Sequence, residues 1–239
     1  MTTQRTTAIP PGIRALSFDL DDTLWDCAPA IRRAEEALHG WFARETPRVL
    51  ERHDLESLAA HRARVVAEHP HPARDVTAMR RTAIARLLDE HGYPDSHVDA
   101  AFDVFHRARS EVVLYEGVAE TLAALARRYR LAAITNGNAD LERIGLAGHF
   151  ELILAASLEL APKPAPEMFQ LCLERFGIEA HELLHIGDNA LTDVGGAQRA
   201  GVRALWFNGR DEEWPESLPP PDLEVRSIPA LSTLLGTEP

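Results

Sequence analysis

Three things are scarce in this sequence of 239 residues: cysteine, long apolar runs and lysine. The two cysteines, Cys27 and Cys172, are far apart and outside any metal-ligand spacing, which argues against a disulfide scaffold and indicates a reducing compartment. No apolar run is long enough to cross a bilayer, so we expect no membrane span. The first residues, 1–14, lack the apolar stretch of a signal peptide and are expected to form a short tail. Together these features predict a cytoplasmic protein.

Only one of the 25 basic residues is a lysine, Lys163, and the other 24 are arginines. A codon bias explains such a replacement wherever either cation is adequate. Arginine is a poor substitute where a compact ammonium group must approach a phosphate or a carboxylate. The single remaining lysine is therefore a candidate for such a position.

Positive charge is scarce as well, since the formal net charge is -12. Non-specific binding of nucleic acid needs a basic face, so we expect no nucleic-acid partner. An anionic substrate is still compatible with this charge, because a metal ion and a few local donors can reverse the field inside a pocket.

The hydrophobic pattern divides the chain into two kinds of structure. A short apolar run ending in acids, 14–20, is typical of a buried strand, and the following segment up to Glu111 has helical periodicity throughout. After it, strand and helix patterns alternate, which favours right-handed crossovers and a parallel sheet. We predict an α/β fold: a Rossmann-like parallel sheet with helices on both faces (1–25 and 112–239), and an all-helical cap domain (26–111) inserted after the first strand.

Polar residues cluster where the predicted strands end. Ligands of open parallel sheets bind beyond the carboxyl ends of the strands, so residues at these ends are expected to lie together. The residues in question are Asp19, Asp21, Thr135, Asn136, Gly137, Lys163, Asp188 and Asp193.

Three of these carboxylates, Asp19, Asp188 and Asp193, can form an oxygen site for Mg²⁺ together with a backbone carbonyl. Without a cation they would repel one another, so the cluster needs a metal or shifted pKa values. A metal would also reduce the repulsion between a carboxylate nucleophile and a phosphate.

The remaining residues suit phosphoryl transfer. Asp19 can attack phosphorus to give an aspartyl-phosphate, and Asp21 can protonate the leaving group and then activate water. The hydroxyl of Thr135, the backbone N–H groups at 136–137 and the ammonium of Lys163 can stabilise the phosphoryl oxygens.

Four segments resemble, in order and spacing, the motifs of the haloacid dehalogenase-like hydrolase superfamily: FDLDDT, ITNG, KP and GDNALTD. The region between the first and second motifs resembles its helical cap type. The resemblance implies a Mg²⁺-dependent phosphatase that acts on a small phosphate ester. By motif, the resemblance implies that Asp19 is the nucleophile and a metal ligand, and that Asp21 is the acid/base and offers its backbone carbonyl to the metal. It implies that Thr135 binds phosphate together with Asn136 and Gly137, and that Lys163 is the motif lysine. It also implies that Asp188 is a metal ligand, and that Asp193 is either a metal ligand or the residue that orients metal-bound water.

A narrower likeness concerns the substrate. FDLDDTLWD, DVTAMRR (75–81), AITNGNA and HIGDNALTDVGGA are similar to the bacterial flavin-pathway phosphatases. That likeness implies flavin mononucleotide or the phosphorylated ribitylamino-uracil precursor of riboflavin as substrate. Trp25 and Arg80 are further candidates for substrate contact, each with packing as the alternative, and His69-Pro70-His71 is expected to be a surface loop.

Three other functions share this pattern. A 2-haloacid dehalogenase also uses an aspartate nucleophile but needs neither Mg²⁺ nor a second acid at the position of Asp21. A phosphomutase shares every core motif, and a non-catalytic binding protein could keep the fold. The sequence leaves open the metabolite, the cap residues that face it and the oligomeric state.

Overall fold

The computed structural model describes residues 9–68 and 75–236. The His69-Pro70-His71 segment and most of the expected N-terminal tail lie outside these ranges.

The described residues contain one sheet of six parallel strands in the order β3-β2-β1-β4-β5-β6. This confirms the predicted α/β class with a Rossmann-like parallel sheet. The strands are β1 (Ala15–Phe18), β2 (Arg130–Thr135), β3 (Leu152–Ala155), β4 (Leu183–Gly187), β5 (Arg203–Phe207) and β6 (Leu223–Val225).

The central strands are buried along their whole length, which is why they appear in the sequence as continuous apolar runs. Every residue of β1 and of β4 is buried. Parallel sheets covered by helices on both faces show this pattern, whereas half-exposed strands alternate. Met168 and Phe169 of a neighbouring helix join the buried cluster against which the sheet packs.

The helices are α1 (Cys27–Glu45), α2 (Pro47–Leu50), α3 (Leu55–Glu68), α4 (Val76–Glu90), α5 (Val98–Arg109), α6 (Val118–Leu125), α7 (Leu141–Ile144), α8 (Glu167–Phe176), α9 (Gly195–Arg199) and α10 (Ile228–Leu234). Their ends carry the expected capping signals. The side chain of Asp75 accepts a hydrogen bond from the N–H of Ala78 at the start of α4. Gly177, with φ +59°, ends α8 in the left-handed conformation that glycine adopts without strain.

The chain divides into two compact units. The sheet unit contains the described residues up to Asp26, together with Val113–Gly137 and Gly145–Gly236. The helical unit contains Cys27–Val112 and a short second segment, Asn138–Ile144. The sequence pattern assigns that second segment to the core, and the role of the helical unit as a cap stays a prediction.

The helical unit has a hydrophobic core of its own. Buried aromatic and aliphatic side chains of α1, α4 and α5 form it, among them Trp41, Phe42, Leu88, Phe102 and Phe105. Among the described residues, no helix combines the length and the apolar character that crossing a bilayer requires.

Candidate active site

The strand order brings the predicted site residues to one edge of the sheet. β1 lies between β2 and β4, and all three strands run in the same direction. Asp19 follows β1, Thr135 is the last residue of β2, and Asp188 follows β4. Their side chains therefore meet at the carboxyl ends of adjacent strands, where open sheets bind ligands.

Lys163 is buried, and its ammonium group contacts three oxygens. Nζ donates to Asp19 Oδ1 at 2.7 Å, to Asp193 Oδ1 at 2.6 Å and to the carbonyl oxygen of Ile134 at 2.6 Å. An ammonium group has three hydrogens, so each one has an acceptor. The only lysine of the chain thus joins two of the predicted site carboxylates.

Asp193 is held on every side. Its Oδ1 is 3.3 Å from His185 Nε2, and its Oδ2 accepts a hydrogen bond from the N–H of Asn189 at 2.9 Å. The other ring nitrogen of His185 lies 2.9 Å from the hydroxyl of Ser17. A buried polar chain therefore runs from β1 through β4 to the carboxylate.

His185 and Ser17 were not among the residues predicted for the site. The signal that could have found them is their place in the sequence, because each is a polar residue inside an otherwise apolar strand. Both are buried, at 1% and 0% relative exposure. Buried polar groups need partners, so such residues indicate a polar network.

The pKa values of the carboxylates diverge because their environments differ. Burial raises the pKa of Asp19 well above its usual value, with Lys163 opposing and the charges of Asp193 and Asp188 adding to the rise. Burial and the charges of Asp193 and Asp22 raise the pKa of Asp188 to about 7. Asp193 is more deeply buried than Asp188, but the charge of Lys163 and the contact with His185 outweigh that burial and hold its pKa well below the usual value.

This donor set fits a hard divalent cation. Asp19, Asp188 and Asp193 each offer a carboxylate oxygen, and the three oxygens lie within 4.8 Å of one another. Oxygen ligands of this kind suit Mg²⁺, and a cation would offset the burial and the mutual repulsion that raise the pKa values of Asp19 and Asp188.

Asp21 has an environment different from that of Asp19. Trp25 Nε1 donates a hydrogen bond to Asp21 Oδ1 at 2.9 Å, and Trp25 is completely buried. Asp22 has a left-handed φ of 64°, a conformation that aspartate tolerates better than most residues, and its N–H donates to the carbonyl of Trp25 at 2.8 Å. The turn after β1 is therefore closed by Trp25, which holds the carboxylate of Asp21.

Thr23 is a further site residue that the sequence reasoning did not select, although it is part of the first motif. Its hydroxyl is 3.3 Å from Asp188 Oδ1 and accepts a hydrogen bond from the N–H of Asp188 at 3.1 Å. It links the loop after β1 to the loop after β4.

Asn136 and Gly137 shape the loop after β2. The amide of Asn136 donates to the carbonyl of Lys163 and accepts from the N–H of Lys163, both at 2.8 Å. The N–H of Gly137 donates to Thr135 Oγ1 at 2.9 Å. The side chain of Asn136 therefore holds the backbone that carries the lysine.

Eight of the ten predicted site residues line one cavity of about 190 Å³ in the sheet unit. Trp25 and Arg80 are not among its lining residues. Arg80 belongs to the helical unit, where Nη1 donates to Glu35 Oε1 at 2.8 Å and the guanidinium lies 3.8 Å from the centre of the Phe105 ring.

The sheet is of the Rossmann-like class, and acids, a threonine and a buried lysine lie together at the carboxyl ends of its strands. This arrangement is typical of an enzyme active site. Residues 13–201 match the model of the haloacid dehalogenase-like hydrolase family, and the chain belongs to this family. It is therefore a hydrolase, as predicted.

Relatives and a solved structure agree with this assignment. The chain is 36% identical to the 5-amino-6-(5-phospho-D-ribitylamino)uracil phosphatase YigB of Escherichia coli, over 93% of this chain and 96% of the relative. It is 34% identical to a phosphoserine phosphatase of Thermus thermophilus, over 90% and 96%. The crystal structure of a 2-haloacid dehalogenase from Pseudomonas syringae is 37% identical and has a TM-score of 0.86, covering 94% of this chain and 98% of that one. The named phosphatases support a phosphatase as the kind of hydrolase.

Proposed function

We propose that this hydrolase is a Mg²⁺-dependent phosphatase that transfers the phosphoryl group of a small phosphate ester to Asp19 and then to water. The proposal rests on one observation: two carboxylates that are close in sequence, Asp19 and Asp21, have different hydrogen-bond partners. Asp19 is paired with Lys163 inside the acidic cluster, whereas Asp21 is hydrogen-bonded to Trp25. A nucleophile and an acid/base need different environments, and these two residues have them.

In the first step, a carboxylate oxygen of Asp19 attacks phosphorus. A bond forms between that oxygen and phosphorus, the bond between phosphorus and the substrate oxygen breaks, and Asp21 donates a proton to the departing oxygen. Lys163 holds Oδ1 of Asp19 at 2.7 Å and so orients the nucleophile.

In the second step, Asp21 accepts a proton from a water molecule as that water attacks the phosphorus of the aspartyl-phosphate. Inorganic phosphate leaves, Asp19 is again a carboxylate, and Asp21 has regained the proton that it gave away in the first step. Trp25 keeps the carboxylate of Asp21 in one orientation during both transfers.

The loop after β2 is suited to bind the phosphoryl oxygens. Thr135 Oγ1 accepts the hydrogen bond of the Gly137 N–H, so the hydroxyl hydrogen of Thr135 can be donated to a phosphate oxygen. The N–H groups of this loop provide further donors where negative charge develops.

Asp19, Asp188 and the backbone carbonyl of Asp21 would hold Mg²⁺, with Asp193 as a ligand or as the orienter of metal-bound water. When bound, the ion supplies positive charge that reduces the repulsion between the carboxylates and the substrate phosphate. The hydrogen bonds to both oxygens of Asp193 favour the orienting role, because these oxygens already have partners.

For the substrate, we propose a phosphate of the riboflavin pathway or flavin mononucleotide. The Escherichia coli relative, a phosphatase of 5-amino-6-(5-phospho-D-ribitylamino)uracil, supports this choice. We further propose that the helical unit acts as the cap that selects the substrate, and that the enzyme is cytoplasmic. Because Arg80 is engaged by Glu35 and Phe105, packing is favoured over substrate contact for this residue.

A dehalogenase is the second candidate, because of the likeness to the 2-haloacid dehalogenase of Pseudomonas syringae. The carboxylates that dehalogenation does not need argue against it, since Asp21 and Asp188 are both present and Asp21 is held in place. A phosphomutase is a third candidate and would release little phosphate without a bisphosphate activator.

One assay separates these functions. Phosphate release should be measured from an aryl phosphate and from a panel containing flavin mononucleotide, the ribitylamino-uracil phosphate and phosphoserine, with Mg²⁺ and with a chelator. We expect turnover with Mg²⁺ alone, and Asp19→Asn should abolish it while the circular dichroism spectrum stays unchanged. Release of halide from a 2-haloacid in the presence of chelator would instead identify a dehalogenase, and an active Asp19→Asn variant would disprove the assigned nucleophile.

A further inference from the structure

Two polar residues inside the central strands have no part in the proposed chemistry. Ser17 of β1 and His185 of β4 are direct partners in the parallel register of these strands, and Ser17 Oγ lies 2.9 Å from His185 Nδ1. Both are buried, and their neighbours along each strand are apolar. Replacing both partners of a buried hydrogen bond by apolar groups of the same shape is often nearly neutral for stability. The packing of the sheet alone therefore does not explain why a histidine is present.

The ring of His185 is held so that Nε2 points at Asp193. Nε2 lies 3.3 Å from Asp193 Oδ1, and an ionised carboxylate can only accept, so Nε2 is the donor. At the opposite nitrogen the ring contacts the hydroxyl of Ser17, which can donate or accept. The ring of Phe169 packs against the imidazole in a T-shaped arrangement, with the ring centres 4.9 Å apart. These contacts give the imidazole one orientation.

Asp193 passes this constraint on to the lysine. Its Oδ1 also accepts a hydrogen bond from Lys163 Nζ at 2.6 Å, and the same Nζ donates to Asp19 Oδ1 at 2.7 Å. Gly187 lies two residues after His185 and so on the same face of β4, and a Cβ atom there would come within 2.4 Å of Asp193 Cγ. Asp193 is thus packed against the strand, and loss of the donor at Nε2 would release Oδ1 and the ammonium group that it shares with Asp19.

We propose that His185 is a positioning residue for the nucleophile: through Asp193 it fixes Lys163, and through Lys163 it fixes Asp19. This inference rests on the proposed transfer of a phosphoryl group to Asp19. An attacking oxygen has to be held near its line of approach, and small displacements of a reacting group reduce rates strongly. Because other residues line the cavity at Asp19, His185 is expected to affect the rate of attack more than the binding of substrate.

Steady-state kinetics on the aryl phosphate test this role. His185→Leu removes the donor and keeps a side chain of similar size, and we expect kcat to fall about 10-fold or more, as for loss of a hydrogen bond to a charged group, with a smaller change in KM. His185→Gln restores an N–H donor near the place of Nε2 and should recover most of the lost kcat. Ser17→Ala leaves the bond to Asp193 in place and should reduce kcat less than His185→Leu.

The single lysine of the sequence offers a readout that needs no activity. Protein labelled with ¹⁵N at lysine Nζ has one side-chain nitrogen signal in an NMR spectrum, that of Lys163. The side chain is 1% exposed and its ammonium hydrogens all have acceptors, so we expect slow exchange of these hydrogens with water. His185→Leu should shift this signal and accelerate the exchange, whereas His185→Gln should keep the signal close to that of the wild type.

His61→Leu is the matched control, because His61 is also a buried histidine and its Nε2 lies 3.1 Å from the carbonyl oxygen of Ala83 in the helical unit. It should lower the melting temperature, while kcat and the Lys163 signal stay near their wild-type values. An unchanged kcat or an unchanged Lys163 signal in His185→Leu would overturn the proposal, as would an equal loss of kcat in His61→Leu.

Two variants keep the test decisive if His185→Leu does not fold. Ser17→Ala deletes only a hydroxyl, so a wild-type kcat together with a wild-type Lys163 signal in this variant would then contradict the proposal. His185→Gln should fold, and a kcat far below that of the wild type would show that the donor to Asp193 is not what the histidine supplies. The NMR signal is recorded without substrate, so failure of the positioning is distinguishable from failure of the proposed phosphatase activity.

Discussion

At the scale of single residues, the structure explains why Lys163 remains in a sequence whose other basic residues are all arginine. The ammonium group of Lys163 is enclosed by the carboxylate of Asp19 after β1, by that of Asp193 after β4 and by the backbone carbonyl of Ile134. The side chain is 1% exposed, so a guanidinium would have to fit a planar fork into a space that accommodates a tetrahedral group. A bias towards arginine can change exposed cations at little cost, but it cannot change this one.

Lys163→Arg should therefore be inactive and less stable. A larger side chain in a fully packed site typically costs about 1–3 kcal/mol, and we expect a loss of unfolding free energy of at least this order in a urea titration. Arg175→Lys, at an exposed position of α8, is the matched control and should behave like the wild type. Full activity of Lys163→Arg would show that the compact ammonium is not needed.

The indole N–H of Trp25 donates a hydrogen bond to Asp21, and this contact can be removed while an aromatic ring is kept at the position. Trp25→Phe deletes the donor to Asp21 Oδ1. A hydrogen bond to a charged group contributes about 1.5–3 kcal/mol, so we expect kcat to fall roughly 10- to 100-fold, with a smaller change in KM. Steady-state kinetics on the aryl phosphate measure both constants. Trp41→Phe, the same change in the core of the helical unit, should leave kcat near the wild-type value, and an equal loss in both variants would argue against positioning of Asp21.

At the scale of elements, the end of β4 leaves no room for a side chain. A Cβ atom added to Gly187 would lie 2.4 Å from Asp193 Cγ, far inside van der Waals contact. We expect Gly187→Ala to displace Asp193 from Lys163, to lower the melting temperature and to reduce phosphate release strongly. Gly148→Ala is the control, because a Cβ there meets no described atom within 4 Å and φ is not positive. Similar behaviour of the two variants would disprove the close packing of Asp193 against β4.

The central strands β1 and β4 were predictable because they are buried and mostly apolar, and the candidate acids Asp19 and Asp188 because they follow those strands directly. The contacts of His185 and Ser17 could not be predicted, since they depend on which strands are neighbours. The apolar pattern around Asp193 is that of a regular helix. That segment is instead one π-helical turn, Ala190–Val194, before α9, and the side chain of Asn189 caps it by accepting from the N–H groups of Leu191 and Thr192. The short segment Asn138–Ile144 was assigned to the core, because nothing in its sequence indicates hydrogen bonds to residues of the helical unit such as Thr77 and Ser110.

At the scale of the whole molecule, the net charge is -12, and some of the negative charge lies in a buried cluster of carboxylates where it opposes folding. The metal-free cluster of Asp19, Asp188 and Asp193 has a single lysine to balance three carboxylates. Burial first, and then repulsion between like charges, raises the pKa values of Asp19 and Asp188, and these raised values express the cost of ionising the cluster. Without a bound cation, the carboxylate cluster therefore lowers the stability of the folded protein.

This cost predicts how pH acts on stability in the absence of metal. The pKa of Asp188 is about 7 in the folded protein and near 3.8 in the unfolded chain. Between these values the folded state binds the proton and the unfolded state does not, so the contribution of Asp188 to stability falls as pH rises from about 4 to 7. Asp188→Asn removes that contribution and leaves every other titratable side chain of the sequence in place.

The comparison of wild type with Asp188→Asn in a chelator therefore isolates one carboxylate. The melting temperature of the variant, measured by calorimetry, should exceed that of the wild type by a margin that grows between pH 5 and pH 8. Mg²⁺ should raise the melting temperature of the wild type most at the high end of this range, where proton and cation no longer compete for Asp188, and should have little effect on the variant. A margin that is constant or shrinks with pH would mean that Asp188 is ionised in the metal-free protein without cost, and the repulsion argued for the cluster would then be wrong.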